Sequence, residues 1–146
     1  QNVLLTEYER TGIEVDGLIS SQLLINIFEH NTPLHDGAVI IRGNRIVSAT
    51  CYLPLSDNLG LSKELGTRHR AGVGISEVTD SLTVIVSEET GGISVAYEGK
   101  LERALSSEEL RSRLQQILNR NADDRTKGKG LWKRRSGRKN EKKDIS

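Results

Sequence analysis

Three polar clusters interrupt the apolar segments of this sequence, and each contains residue types that perform or assist chemistry. The clusters are His35-Asp36-Gly37 before "AVII", Gly66-Thr67-Arg68-His69-Arg70 after "SKEL", and Ser87-Glu88-Glu89-Thr90-Gly91-Gly92 after "TVIV". Because an unpaired aspartate is costly to bury and disfavours strands, the first cluster indicates a position at the mouth of a strand. A turn aspartate that only starts the strand is the alternative.

The second cluster is suited to phosphate, because two arginines and a threonine supply many hydrogen-bond donors. A helix that begins nearby would add its N-terminal N–H groups. The alternative is a surface basic cluster paired with Glu64 or Glu77. The third cluster places carboxylates before glycines, which indicates either a solvated turn or a site for a divalent metal or a ligand.

Together, the clusters predict a phosphate-handling site with a base, phosphate donors and carboxylates at the ends of apolar strands. The chain contains neither Gly-x-x-x-x-Gly-Lys-[Ser/Thr] nor Gly-x-Gly-x-x-Gly, which excludes a P-loop and the dinucleotide-binding fingerprint. The residues alone leave the reaction open.

The apolar segments around the clusters predict both helices and strands. "LISSQLLINIFEH" predicts a helix capped by Ser20 or Ser21, with one apolar face made of Leu23, Leu24, Ile27 and Phe28. "GAVIIRG" and "RIVSATCYL" predict a hairpin that turns at Gly43-Asn44, and "SLTVIVS" and "GISVAYEGKL" predict a second strand pair.

Two further segments complete the predicted fold. "SKELGTRHRAGVGISEVTD", between the strand pairs, is expected to be partly helical. "SSEELRSRLQQILN" opens with a capping box from Ser106 to Glu109 and continues as an amphipathic helix. This order predicts an α/β fold, with one globular domain built on a mixed central β-sheet flanked by helices.

Charge divides the 146-residue chain near Asn119. Residues 1–119 carry a net charge of −6, and residues 120–146 carry +7. Because the second part has few apolar groups and strong like-charge repulsion, we expect a disordered basic tail over 120–146. The tail is either a solvated segment or a contact for anionic lipid or nucleic acid, with Trp132 as an interfacial anchor. No base-reading domain accompanies it, so no nucleic-acid partner is expected.

The chain begins at Gln1 and contains no methionine, so we interpret it as part of a longer protein. No apolar run approaches the roughly 18 to 20 residues of a membrane helix, and no signal peptide is visible, so this part is expected to be soluble. The single Cys51 excludes an internal disulfide and is expected to be a packed thiol.

Four segments resemble the catalytic domain of the bacterial diadenylate cyclases, most closely the membrane-anchored type that makes cyclic di-AMP. They are "LHDGAVII", "CYLPLS", "KELGTRHRAGVGISEVTDSL" and "VIVSEETGGISVA". The two hallmark motifs of that family stand here as Asp36-Gly37-Ala38 and Arg68-His69-Arg70, within a match from roughly Thr11 to Leu118. The resemblance implies that residues 1–119 are this catalytic domain, truncated at its N-terminus.

The resemblance implies that two ATP molecules become one cyclic di-AMP and two pyrophosphates across a face-to-face homodimer. Asp36 would activate a ribose hydroxyl, Arg68 and Arg70 would assist as catalytic cations, and His35 would help hold Mn²⁺ or Mg²⁺, with Co²⁺ as a third candidate. The implied nucleotide contacts are Gly37, Ala38, Tyr52, Leu53, Thr67, Arg68, His69, Arg70, Ser87 and Glu89.

The family also implies a setting for the longer protein. An N-terminal segment that this chain does not include would attach it to the cytoplasmic face of a bacterial membrane, and a regulatory protein such as a phosphoglucosamine mutase is an expected partner. The alternative function is a non-catalytic sensor that binds adenine nucleotides. An electrostatic scaffold would account only for the tail. Gly72 stands where the family commonly has alanine, at a cost of about 1 kcal/mol inside a helix.

Overall fold

The structure is a computed structural model that describes residues 4–58 and 60–136, without the side chains of residues 121 and 124–136. The chain divides into two compact units, Gln1–Arg103 and Ala104–Ser146. Its elements in chain order are α1 (Thr6–Glu9), β1 (Ile13–Leu18), α2 (Ser21–Ile27), β2 (Ala38–Arg42), β3 (Arg45–Cys51), α3 (Thr67–Val78), β4 (Thr83–Val86), β5 (Ile93–Tyr97), β6 (Lys100–Leu105) and α4 (Ser107–Ser136).

The first sheet has the strand order β1-β3-β2, and β3 pairs antiparallel with both neighbours. The predicted hairpin is confirmed, with Arg42 opposite Arg45 across the turn. Ile27 of α2 packs with Ile46 and Ala49 of β3 in a buried core. Strand β1 was not predicted, because its pairing shifts register between Glu14 and Gly17 and the bulge interrupts the alternation of apolar residues.

The second sheet has the strand order β4-β5-β6, and α3 packs on it through buried Val73, Ile85 and Ala96. A Cβ on Gly72 would lie 2.6 Å from Ile85 Cδ1, so this glycine lets α3 approach β4 closely. The segment predicted as one strand after Gly92 divides into β5 and β6 at a turn, where Glu98 and Gly99 have φ values of 51° and 77°.

The predicted α/β class is confirmed. The described strands form two three-stranded sheets, whereas we expected one central sheet. The difference arises because residues 52–58 and 60–66, between β3 and α3, do not pair as a strand. The second strand pair therefore builds a sheet of its own.

Helix caps follow the sequence closely. The Ser20 side chain accepts a hydrogen bond from Leu23 N at 3.1 Å, which confirms it as the N-cap of α2. Phe28 was expected on the apolar face of this helix, but it is the C-cap and is 48% exposed. In the second unit, the predicted capping box is confirmed, since Glu109 N donates to Ser106 Oγ at 3.1 Å and Ser106 N donates to Glu109 Oε1 at 3.3 Å.

Helix α4 extends from Ser107 to Ser136, past the point near Asn119 where the apolar pattern ends. Residues 137–146 and the Trp132 side chain lie outside the described part of the chain. The division at residue 119 and the disorder of the tail therefore stay predictions. None of the described helices combines the length and the apolar composition that crossing a bilayer requires.

Candidate active site

Gly37 places the start of β2 directly against the end of β3. Its φ is +125°, and a Cβ there would lie 2.7 Å from Thr50 Cα and 2.8 Å from Thr50 C. The next residue, Ala38, pairs with Cys51. Only glycine fits this backbone conformation and this spacing without displacing the neighbouring strand. The Asp-Gly-Ala motif is thus fixed beside the segment that begins at Tyr52.

Asp36 lies at the mouth of β2, as its position before an apolar run indicated. Its side chain is exposed, and within the described ranges it forms no hydrogen bond or ion pair. A carboxylate in this state keeps all its acceptor capacity for a ligand. Its catalytic role stays a prediction.

His35 is half-buried, and its Nδ1 lies 2.6 Å from Thr32 O. Because a carbonyl oxygen only accepts hydrogen bonds, Nδ1 must carry the proton in this contact. In the neutral ring, Nε2 then keeps a free lone pair. A histidine oriented through one nitrogen in this way is typical of metal ligands.

A metal at this position would need ligands from elsewhere. Among the residues the structure describes, no group of three or more His, Cys, Asp and Glu side chains is suited to hold an ion. However, Mg²⁺ is commonly held by one or two protein ligands together with substrate phosphates. His35 with neighbouring Asp36 fits an open site of that kind and does not fit a closed structural site.

The segment after β3 connects the Asp-Gly-Ala motif to α3. Tyr52 N donates to Thr11 Oγ1 at 2.8 Å, while the Tyr52 residue is 74% exposed and Leu53 is half-buried. Further along, Ser56 N donates to Arg70 O at 2.9 Å. A Cβ on Gly74 would overlap Pro54 O, so the segment lies directly on the helix.

The Arg-His-Arg motif forms the first turn of α3. Gly66 is the N-cap and provides no side-chain hydrogen bond, and the first turn contains no acidic residue. The early N–H groups of the helix therefore have no side-chain cap, and the positive end of the helix dipole adds to the charge of Arg68 and Arg70. This arrangement suits a phosphate group. Thr67 and Arg68 are exposed here, and Arg70 is half-buried.

The arginine side chains already have protein partners. Arg68 Nε lies 2.8 Å from Glu88 Oε1, and Arg68 Nη1 donates to Val86 O at 3.3 Å. Arg70 Nη2 donates to Ser62 O at 3.5 Å. His69 lies between these two arginines in the sequence. Burial, and to a smaller extent the charge of Arg103, lowers the pKa of His69 below its usual 6.5, which favours a neutral imidazole near pH 7.

The third cluster forms a closed turn after β4. Ser87 N donates to Gly92 O at 3.0 Å, and Ser87 Oγ accepts from Thr90 N at 3.3 Å. Glu89 is exposed. The contact to Arg68 is made by Glu88, which the sequence did not single out. Neither Glu64 nor Glu77, the partners considered for the basic cluster, forms it. Nothing in the local pattern distinguishes Glu88 from Glu89, so only the structure could identify this pair.

The fold and the phosphate-suited groups of this site are typical of a nucleotide-binding protein. The chain belongs to the DAC family, described as the DisA bacterial checkpoint controller nucleotide-binding domain, whose model matches residues 1–101. The chain is 57% identical over 134 residues to the "Cyclic di-AMP synthase CdaA" of Bacillus subtilis, covering 92% of this chain and 48% of the relative. It is 68% identical over 106 residues to the "Diadenylate cyclase" of Listeria monocytogenes, covering 73% of this chain and 39% of the relative.

Solved structures agree with this family. A double mutant of DacA from Staphylococcus aureus matches with a TM-score of 0.76 and 56% identity, over 80% of this chain and 78% of that one. A "hypothetical membrane spanning protein from Bacillus cereus" matches with a TM-score of 0.68 and 43% identity, over 73% and 52%. The chain spans less than half the length of the two curated relatives named above.

Proposed function

We propose that this chain is the catalytic part of a diadenylate cyclase, which condenses two ATP molecules into cyclic di-AMP and two pyrophosphates. The observation that carries the proposal is an exposed Asp36 that has no partner among the described residues and lies at the start of β2, beside the end of β3. The segment after β3 packs on α3, whose start is positively charged. The names of the relatives, cyclic di-AMP synthase and diadenylate cyclase, support the same reaction.

The proposed reaction forms a bond between the 3'-oxygen of one ATP and the α-phosphorus of the other. The bond from that phosphorus to the bridging oxygen breaks, and pyrophosphate leaves. Asp36 accepts the hydroxyl proton as general base. Arg68 and Arg70 stabilise the charge that develops on the phosphate and on the leaving group. Repeating the step with the roles of the two nucleotides exchanged closes the ring, which requires two copies of the chain.

The remaining residues bind and orient the nucleotide. Gly37 and Ala38 let the backbone approach it closely, and Tyr52 and Leu53 line the adenine pocket. Thr67 and His69 contact the phosphates at the start of α3, and Ser87 and Glu89 contact the ligand from the turn after β4. His35 would hold Mn²⁺ or Mg²⁺ through Nε2, and a bound ion would lower the pKa of the hydroxyl and neutralise phosphate charge.

The longer protein is proposed to reside at the cytoplasmic face of a bacterial membrane. The similarity to a chain called a membrane spanning protein supports this placement. Because the cyclase needs cytoplasmic ATP, the catalytic part must face that compartment.

The experiment is incubation of the chain with ATP and Mn²⁺ at several protein concentrations, with products separated by chromatography and identified by mass. Cyclic di-AMP is expected, with specific activity that rises with protein concentration as the dimer forms. Asp36→Asn should lower turnover by about 10²–10⁴-fold, the range for loss of a general base, while ATP still binds.

The matched control is Asp80→Asn, which changes another exposed aspartate outside the proposed site and should leave turnover unchanged. Wild-type turnover in Asp36→Asn would refute the role of Asp36. ATP binding without product by the unmodified chain would favour the sensor, and a folded chain that binds no ATP would contradict both functions.

A further inference from the structure

Among the described residues, two protein groups contact the guanidinium of Arg68, and they leave most of its N–H donors free. Glu88 Oε1 lies 2.8 Å from Nε, and Val86 O accepts from Nη1 at 3.3 Å. Of the five N–H donors in the fixed plane of a guanidinium, the hydrogen bond to Val86 occupies one, and both donors on Nη2 remain for a ligand. The ion pair and the hydrogen bond therefore restrict the orientation of the group and still allow it to bind an anion.

Both partners of this contact lie on well-supported backbone. Gly72, one helical turn after Arg68, brings α3 against Ile85 of β4. Val86 ends β4, and Glu88 lies in the turn that the Ser87–Gly92 hydrogen bonds close. The pair thus joins the start of a packed helix to the end of a packed strand.

This ion pair contributes little to folding. The Arg68 and Glu88 side chains are 45% and 68% exposed, and exposed pairs of this kind add little to stability. Holding a long side chain in one orientation matters more for binding, since a free arginine loses rotamer entropy when a ligand immobilises it.

We propose that Glu88 is a positioning residue that orients Arg68 toward the phosphates of the bound nucleotide. The inference rests on the proposed nucleotide site and adds a residue that the motifs do not contain. Its role is to act through Arg68, and it requires no contact between Glu88 and the nucleotide.

Charge and positioning predict opposite effects when Glu88 is neutralised. A carboxylate close to bound phosphates repels them, so on charge alone Glu88→Gln should tighten ATP binding. If Glu88 orients Arg68, the same substitution should weaken ATP binding. The sign of the change in ATP Kd therefore distinguishes a positioning residue from a competing negative charge.

The chain contains a closely matched control. Asp16 Oδ1 lies 2.8 Å from Arg45 Nε, with side chains 66% and 48% exposed, and this pair lies between β1 and β3, outside the proposed site. Asp16→Asn removes the same charge from the same kind of pair. Its ATP Kd should equal that of the wild type.

The test measures the Kd for ATP and for adenosine by calorimetry, with thermal unfolding to verify the fold of each variant. Glu88→Gln should raise the ATP Kd about fivefold, the upper size of an exposed ion pair. Adenosine has no phosphate, so its Kd should not change. In an Arg68→Lys background, Glu88→Gln should have little further effect, because lysine has no guanidinium for Glu88 to orient.

An ATP Kd for Glu88→Gln that is unchanged or lower than that of the wild type would overturn the proposal. An equal effect on adenosine would also overturn it, since it would show a general disturbance of the pocket. If the unmodified chain binds ATP and makes no cyclic di-AMP, the cyclase proposal fails while the role of Glu88 stands on the binding data. If it binds no ATP, both fail.

Discussion

The proposed site has two sides that are built differently. The hairpin side, residues 35–53, positions Asp36 through backbone contact, because Gly37 lies against Thr50. The helix side, made of α3, β4 and the turn at residues 87–92, positions Arg68 and Arg70 through hydrogen bonds and an ion pair. The carboxylate has no partner within the described ranges, whereas both cations do.

This difference indicates how the carboxylate and the guanidinium groups are each positioned before a substrate binds. A base must be free to accept a proton, so its backbone is fixed and its side chain is left unpaired. Flexible arginines must be oriented before an anion arrives, and protein acceptors do this. Substitutions on the hairpin side should therefore lower the free energy of unfolding through steric strain. Substitutions on the helix side should mainly change ligand affinity, except where α3 packs against the backbone of the segment that follows β3.

That exception gives the largest expected effect. In Gly74→Ala, the new Cβ would overlap Pro54 O and lie 2.9 Å from Ser56 N, both of which are backbone atoms. We expect a loss of about 3 kcal/mol in unfolding free energy, near the upper range for overpacking. Urea unfolding measures it. Gly72→Ala is the comparison variant and should cost less, because its Cβ meets the movable side chain of Ile85. Equal costs would contradict the proposed importance of backbone contact.

Gly37→Ala tests the hairpin side. Its Cβ would lie 2.7 Å from Thr50 Cα at a φ of +125°, so clash and backbone strain combine, and about 2 kcal/mol of unfolding free energy should be lost. Gly91→Ala separates the two contributions, since Gly91 has a φ of +71° with nothing within 4 Å. Chemical denaturation of both variants should show the larger loss for Gly37→Ala. A larger loss for Gly91→Ala would show that steric contact is not what fixes Gly37.

The lowered pKa of His69 predicts how the stability of the chain depends on pH. Its pKa is lowered on folding, so between the folded pKa and 6.5 the unfolded chain binds a proton that the folded chain does not. The contribution of His69 to stability is therefore complete above pH 6.5 and is lost as pH falls through the folded pKa. Unfolding measured over roughly pH 5 to 8 should show a shallower pH dependence in His69→Gln than in the wild type. An identical slope would contradict a lowered pKa of His69 in the folded chain.

The smallest stability effect is expected at the N-cap of α3. Gly66 lies in open space, since a Cβ added there would have nothing within 4 Å, and it lacks a capping side chain. Gly66→Asp should raise the unfolding free energy by a few tenths of a kcal/mol. It should nevertheless weaken ATP binding, because the new carboxylate competes for the N–H groups and repels phosphate. Gly66→Ser supplies a neutral cap as the control. Tighter ATP binding in Gly66→Asp would refute a phosphate site here.

Local patterns predicted the features that depend on neighbouring residues. The hairpin turn, the Ser20 cap and the Ser106–Glu109 capping box were all readable because each involves residues a few positions apart. The separation into two sheets and the unpredicted β1 depend on contacts between distant segments and on a bulge. For the same reason, the sequence located the three clusters but could not show which carboxylate pairs with Arg68.

The segment from Cys51 to Ser56 also sets the distance between the two sides of the proposed site. One of its ends is fixed beside Gly37, and the other is fixed to α3 at Arg70 and Gly74. The number of residues in it therefore sets how far Asp36 stands from the arginines. One inserted residue adds up to about 3.3 Å, well beyond the roughly 0.5 Å that catalytic geometry tolerates. Over evolutionary time, the length of this segment should be constrained more strictly than its side chains.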